Sequence, residues 1–161
     1  MKVREVMSEP AITCGANANI GQAVQLMWEQ NCGLLPVIGE DGKLTGVVTD
    51  RDICIAMGTR NRLPGDLTVG EIATQKVHTC KPNDDIHEAL STIATMHVRR
   101  LPVVDANGVP QGLLSMDDIL LHGDLNKWEG YCELSSEEIL RSLKALYEGQ
   151  LAPAPVRAVA A

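Results

Sequence analysis

Residues 3–56 of this chain align with residues 69–122 at a constant offset of 66, without a gap, and fourteen of the 54 pairs are identical. They include Val3/Val69, Thr13/Thr79, Cys14/Cys80, Ile20/Ile86, Pro36/Pro102, Gly46/Gly112 and Asp52/Asp118. One unit written twice must form two copies of one supersecondary structure, and a unit this short has too little interior to bury its apolar faces alone. The octapeptide Gly46-Val47-Val48-Thr49-Asp50-Arg51-Asp52-Ile53 returns as Gly112-Leu113-Leu114-Ser115-Met116-Asp117-Asp118-Ile119.

Each unit reads as strand, helix, strand, strand, helix. A helical lead-in (Val3 to Met7; Val69 to Ala73) precedes an extended piece around Ile12-Thr13 or His78-Thr79. Asn19 and Asp85 are placed to cap a helix. Its apolar face is Ile20, Ala23, Val24 and Met27 in the first copy and Ile86, Ala89, Leu90 and Ile93 in the second, at helical spacing. The aliphatic runs Leu34 to Ile38 and Leu101 to Val104 are strand length. The turn pairs Asp41-Gly42 and Asn107-Gly108 join them to strands Leu44 to Thr49 and Gln111 to Ser115, making hairpins. Short helices, Asp50 to Met57 and Met116 to His122, close the units. The expected fold is therefore α/β of the α+β kind: two β-α-β-β-α repeats packed with pseudo-twofold symmetry and separated by clefts, plus a C-terminal helix. The expected division is repeat 1 over 1–57, a Gly/Pro-bearing linker over 58–68, repeat 2 over 69–122, a connector and helix over 123–149, and a disordered tail over 150–161. In the connector and helix, Ser135-Ser136-Glu137-Glu138 reads as a capping box, with Ile139, Leu140, Leu143, Leu146 and Tyr147 on one side. That helix docks either on its own core or on a second subunit.

Composition narrows the function. The aromatics are Trp28, Trp128, Tyr131 and Tyr147, with no Phe, and the formal charge is −7. Nucleic-acid binding is not expected, because it calls for clustered cations and stacking rings. No membrane span or targeting segment is expected either, since the apolar runs are only a few residues long. Five cysteines without C-x-x-C spacing suit reduced thiols and a cytoplasmic setting, although Cys14 and Cys80 occupy equivalent positions. His78, His87, His97 and His122 are scattered without metal-ligand spacing and read as surface or core residues. No enzyme motif is found, so the chain is expected to bind rather than catalyse. Trp28, whose counterpart is Ala94, reads as a packing residue within or between subunits.

Thr49-x-x-Asp52 and Ser115-x-x-Asp118 each fit a capping box, which is reason enough for such residues. Both also stand where a strand runs into a helix N-terminus, where backbone N–H groups favour a ligand. A hydroxyl there can bond a phosphate or sugar oxygen, and a carboxylate one turn later can accept both hydroxyls of a ribose diol.

The repeated G-h-h-[TS]-x-x-D-I motif, the Leu35-Pro36-Val37 and Leu101-Pro102-Val103 strands, and the Asp-Gly and Asn-Gly turns together resemble the tandem cystathionine-β-synthase (CBS) domain pair, or Bateman module. The resemblance covers residues 1–122, and Thr49 to Ile53 is similar to the same stretch of small stand-alone bacterial CBS proteins. It implies a regulatory module that binds an adenosyl ligand: AMP, ADP, ATP, S-adenosylmethionine or NAD, with no obligatory cofactor. Carried over by position, Asp52 and Asp118 would hold ribose hydroxyls, and Thr49 and Ser115 would bond ribose or phosphate. Thr13, Thr79, Val37 and Val103 would border adenine. Acids crowd both helix starts (Asp50, Asp52, Asp117, Asp118), so a polyphosphate would need cations, for which Arg51, Arg99 and Arg100 are candidates. These arginines are not repeated, so the two clefts should be unequal. The family also implies a homodimer and signalling to an unidentified effector protein. The alternative is a structural or interaction protein whose clefts stay empty.

Overall fold

In the computed structural model, residues 1–123 and 134–148 are described. The connector residues 124–133, with Trp128, Tyr131 and Cys132, and the tail after 148 lie outside them, so the expectations placed there are not addressed. The first repeat forms β1 (Cys14–Gly15), α1 (Ile20–Glu29), β2 (Leu34–Ile38), β3 (Leu44–Thr49) and α2 (Asp50–Arg60). The second forms α3 (Ile86–Met96), β4 (Arg100–Val104), β5 (Pro110–Ser115) and α4 (Met116–Gly123), and α5 (Ser136–Glu148) follows. The fold is thus mixed α+β. Strand β1 runs parallel to β2, which pairs antiparallel with β3. The β4–β5 hairpin repeats that register, Leu101 opposite Leu114 as Leu35 opposes Val48. In place of a strand like β1 the second repeat has a single parallel bridge, Cys80 to Val103.

The local signals act as chemistry requires. Asn19 Oδ1 accepts from the Gln22 amide at 2.9 Å and Gln22 Oε1 accepts from the Asn19 amide at 3.0 Å, a reciprocal cap for α1. Gly42 and Gly108 close the hairpins at φ +74° and +84°, a region costly for a residue with a Cβ. Helix α2 continues through Arg60, three residues beyond its expected end at Met57, and stops at a left-handed Asn61.

The lead-in segments depart most from the expected layout, because each completes the other repeat. Val3 and Val6 are buried in the core of α3, β4 and β5, with Ile86, Leu90, Leu101 and Leu114. Leu67 and Val69 are buried in the core of α1, β2 and β3, with Ile20, Leu35 and Val48. Backbone bonds fix both crossings: Ile20 N donates to Leu67 O at 2.9 Å, and Ile86 N donates to Met1 O at 3.1 Å. The end of the expected linker is therefore core, and burying a leucine such as Leu67 contributes about 1.5–3 kcal/mol.

Beyond each lead the chain pairs with the other repeat's hairpin. Ser8 exchanges two backbone hydrogen bonds with Leu113, both 2.9 Å, and Thr74 exchanges two with Val47, 2.9 and 3.0 Å. This close crossing explains the repeated glycine that opens each motif. A Cβ on Gly112 would lie 2.6 Å from Ser8 O, and one on Gly46 would lie 3.0 Å from Thr74 O.

Helix α5 docks on the second repeat. Ser135 Oγ accepts from the Glu138 amide at 3.2 Å, while the Glu138 carboxylate meets His87 Nδ1 of α3 at 2.7 Å instead of completing the capping box. Ile139 and Leu146 are buried and Leu143 packs on the same core, but Leu140 and Tyr147, expected on that side, are partly exposed. On α1, Val24 is half-exposed, while its counterpart Leu90 is buried. Trp28 is 86% exposed and packs on neither core of the described residues. Cys14 and Cys80 sit in different cores, and burial pushes their thiols up to about 11 and about 12 respectively.

Two outcomes follow from these contacts. Gly112→Ala should destabilise the fold by about 1–3 kcal/mol, as overpacking does, and Gly46→Ala by less, measured as the shift in urea midpoint. With iodoacetamide at pH 8, Cys14 and Cys80 should alkylate only after unfolding, as peptide mass spectrometry would show.

Candidate functional site

The crossings leave a cleft beside each motif. Cleft 1, about 340 Å³, has Thr49 and Asp52 on one wall. Thr74, Lys76, Val77 and His78 from the crossing segment form a second wall, and Val98, Arg99 and Arg100 a third. Cleft 2, about 290 Å³, has Ser115 and Asp118 on one wall, with Ser8, Pro10, Ala11 and Ile12 crossing it. Every residue lining cleft 1 has its counterpart, 66 positions away, lining cleft 2. Leu34 and Arg100, which are counterparts of each other, line both.

The motif side chains hold the same posture in both copies. Thr49 N and Oγ1 donate to Asp52 Oδ2 at 2.9 and 2.7 Å, and the Asp52 amide donates to Thr49 Oγ1 at 3.1 Å. Ser115 N donates to Asp118 Oδ2 at 2.8 Å, the Ser115 hydroxyl donates to the same oxygen, and the Asp118 amide donates to Ser115 Oγ at 3.1 Å. Capping and a ligand role are therefore compatible, because the box uses one carboxylate oxygen. What differs is the other oxygen. Asp118 Oδ1 accepts from Ser8 Oγ at 3.0 Å, whereas no described residue donates to Asp52 Oδ1. A carboxylate oxygen free to accept is what a sugar diol requires.

Of the residues singled out from sequence, Thr49, Asp52, Arg99 and Arg100 come together at cleft 1, and Ser115, Asp118 and Arg100 at cleft 2. Arg51 lines neither cleft: it is exposed on the first turn of α2, its amide donating to Asp50 Oδ1 at 2.7 Å. Thr13 and Thr79 also lie off both linings, which the crossing segments leave after Ile12 and His78. Thr79 opens instead on a separate depression with Lys43 and Gln75. Val37 and Val103 are buried in the cores, and their strand neighbours Pro36 and Pro102 face the clefts. Lys76 and His78 escaped the sequence reading as site residues. Their signal was the comparison of the copies, in which they stand opposite Pro10 and Ile12.

Among the described residues, no three His, Cys, Asp or Glu side chains gather as a metal would need. None of their helices is long and apolar enough to cross a membrane.

Comparison with known proteins identifies the family. The CBS domain family model matches residues 3–58 and again 69–123. The CBS domain-containing protein YhcV of Bacillus subtilis is 31% identical over 128 residues, 80% of this chain and 89% of that protein. Hypoxic response protein 1 of Mycobacterium tuberculosis is 32% identical over 119 residues, 74% of this chain and 82% of that protein. Among solved structures, the CBS domain pair of protein MJ0100, in complex with 5′-methylthioadenosine and S-adenosyl-L-methionine, superposes with a TM-score of 0.68 at 27% identity, covering 75% of this chain and 94% of that one. With the family model matching both halves of a gapless repeat, the chain belongs to the CBS domain family and carries two CBS domains in tandem.

Proposed function

We propose that this chain is a regulatory module that binds an adenosyl ligand in its inter-repeat clefts. The observation that carries this reading is the free oxygen of Asp52, held by a capping box on the wall of a mostly aliphatic cleft. A ribose diol supplies the two donors that such a carboxylate accepts, and Val47, Val77, Val98 and Pro102 offer adenine an apolar bed with backbone polar groups beside it. The MJ0100 CBS pair, solved with two adenosyl ligands, supports the same class of ligand here. AMP, ADP, ATP, S-adenosylmethionine and NAD all carry the adenosine group concerned. Residues of both repeats line each cleft, so a ligand that favours one packing of the repeats shifts the population by its differential affinity. The signal then passes to another protein or through self-association. Binding, rather than catalysis, is the proposed activity.

The exposed α1–α2 face supports pairing of two copies. Val24, Trp28 and Cys54 line an apolar depression there with Ile55 exposed nearby, while α5 covers much of the corresponding α3–α4 face.

Titration calorimetry with AMP, ATP, S-adenosylmethionine and NAD tests the cleft. At least one should bind, and Asp52→Asn should weaken binding roughly tenfold or more, the scale of a lost hydrogen bond to a charged group. Asparagine keeps an acceptor for Thr49, so an unchanged thermal midpoint without ligand separates binding from folding. No heat with any of the four ligands would refute the reading. For self-association, the wild type should sediment as a dimer and Trp28→Glu as a monomer; a wild-type monomer refutes it.

A further inference from the structure

The two clefts share one plan and differ in charge. Where cleft 1 has Lys76, His78 and Arg99, cleft 2 has Pro10, Ile12 and Gly33, and Arg100 reaches both. Cleft 1 is thus lined by three cationic residues and the single carboxylate of Asp52, and cleft 2 by Arg100 and Asp118. The concentration is notable in a chain with 14 Lys and Arg against 21 Asp and Glu. None of these three cations forms an ion pair with a described carboxylate: Arg99 lies over the Tyr147 ring, 5.0 Å from its centroid, and Lys76 is exposed. Cations gathered in a concave, partly apolar site and left without anions focus a positive potential there.

We propose that the clefts divide ligands by phosphate: cleft 1 takes a 5′-phosphorylated adenosine, and cleft 2 an adenosine derivative without phosphate. This rests on the adenosyl reading above and adds to it the residues that set specificity. Asp52 receives the ribose, while Lys76 and Arg99, on the walls across from it, receive the phosphate. Arg99 supplies a fork for two phosphate oxygens and Lys76 a point charge. Cleft 2 has neither, and its Asp118 is already engaged by Ser8 on the oxygen that Asp52 leaves free. A ligand entering cleft 2 must displace that hydroxyl and gains one cation in return.

The test compares adenosine with 5′-AMP and ATP by calorimetry on the wild type, Lys76→Gln, Arg99→Gln, the double variant, Asp52→Asn and Asp118→Asn. In the wild type 5′-AMP should bind at least tenfold more tightly than adenosine, and Asp52→Asn, not Asp118→Asn, should remove the tighter binding. Lys76→Gln and Arg99→Gln should each lower the 5′-AMP affinity roughly tenfold. The double variant should bring 5′-AMP close to adenosine, whose own affinity stays unchanged. Both positions are exposed, and thermal midpoints without ligand verify folding. Adenosine binding as tightly as 5′-AMP and ATP in the wild type overturns the division but leaves the adenosyl reading standing. So does 5′-AMP binding that survives the double variant or is lost with Asp118→Asn. Failure of every adenosyl ligand overturns both.

Discussion

The structure depends on two backbone crossings, Ser8 against Leu113 and Thr74 against Val47. Each is a pair of hydrogen bonds between a lead segment of one repeat and a hairpin of the other, and each passes over a glycine because a side chain there would strike a carbonyl oxygen. With the crossings in place, Val3 and Val6 fill one core and Leu67 and Val69 the other. The same crossings lay a segment of one repeat beside the motif of the other. Cleft formation and core formation are thus one event, and the walls of a cleft move only as the cores allow.

Much of this was legible in the sequence, and for identifiable reasons. The helices and hairpins announced themselves because their signals are local: Asn19 and Asp85 as caps, Gly42 and Gly108 at positive φ, and aliphatic runs of strand length. The pairing of Thr49 with Asp52 and of Ser115 with Asp118 was legible for the same reason, since a capping box spans three residues. The swap of the lead segments was not. Val69 is apolar whichever core it enters, and nothing in a repeat of period 66 distinguishes packing on its own unit from packing on its neighbour.

The site residues divide along the same line. Thr49, Asp52, Ser115 and Asp118 became candidates through their local motif, and Arg99 and Arg100 through charge. Thr13, Thr79, Val37 and Val103 each stand one position from a residue that lines a cleft, and for Val37 and Val103, on strands, that one position is the opposite face. Arg51 follows Asp50 on the exposed first turn of α2, and its place in the sequence, one residue from Asp52, gave no hint that the helix turns it away. Lys76 and His78 belong to a segment whose role depends on the crossing, so only the assembled fold brings them to Asp52.

The exchange of leads also sets an order of assembly. The first core lacks Leu67 and Val69 until synthesis has passed the linker and reached the start of the second repeat, so repeat 1 emerges with an open side. The second core meets no such delay, for Val3 and Val6 are made long before the hairpin that buries them. Until then their apolar side chains have nothing to cover. The second core therefore closes late, the chain's earliest residues being among the last to find their place.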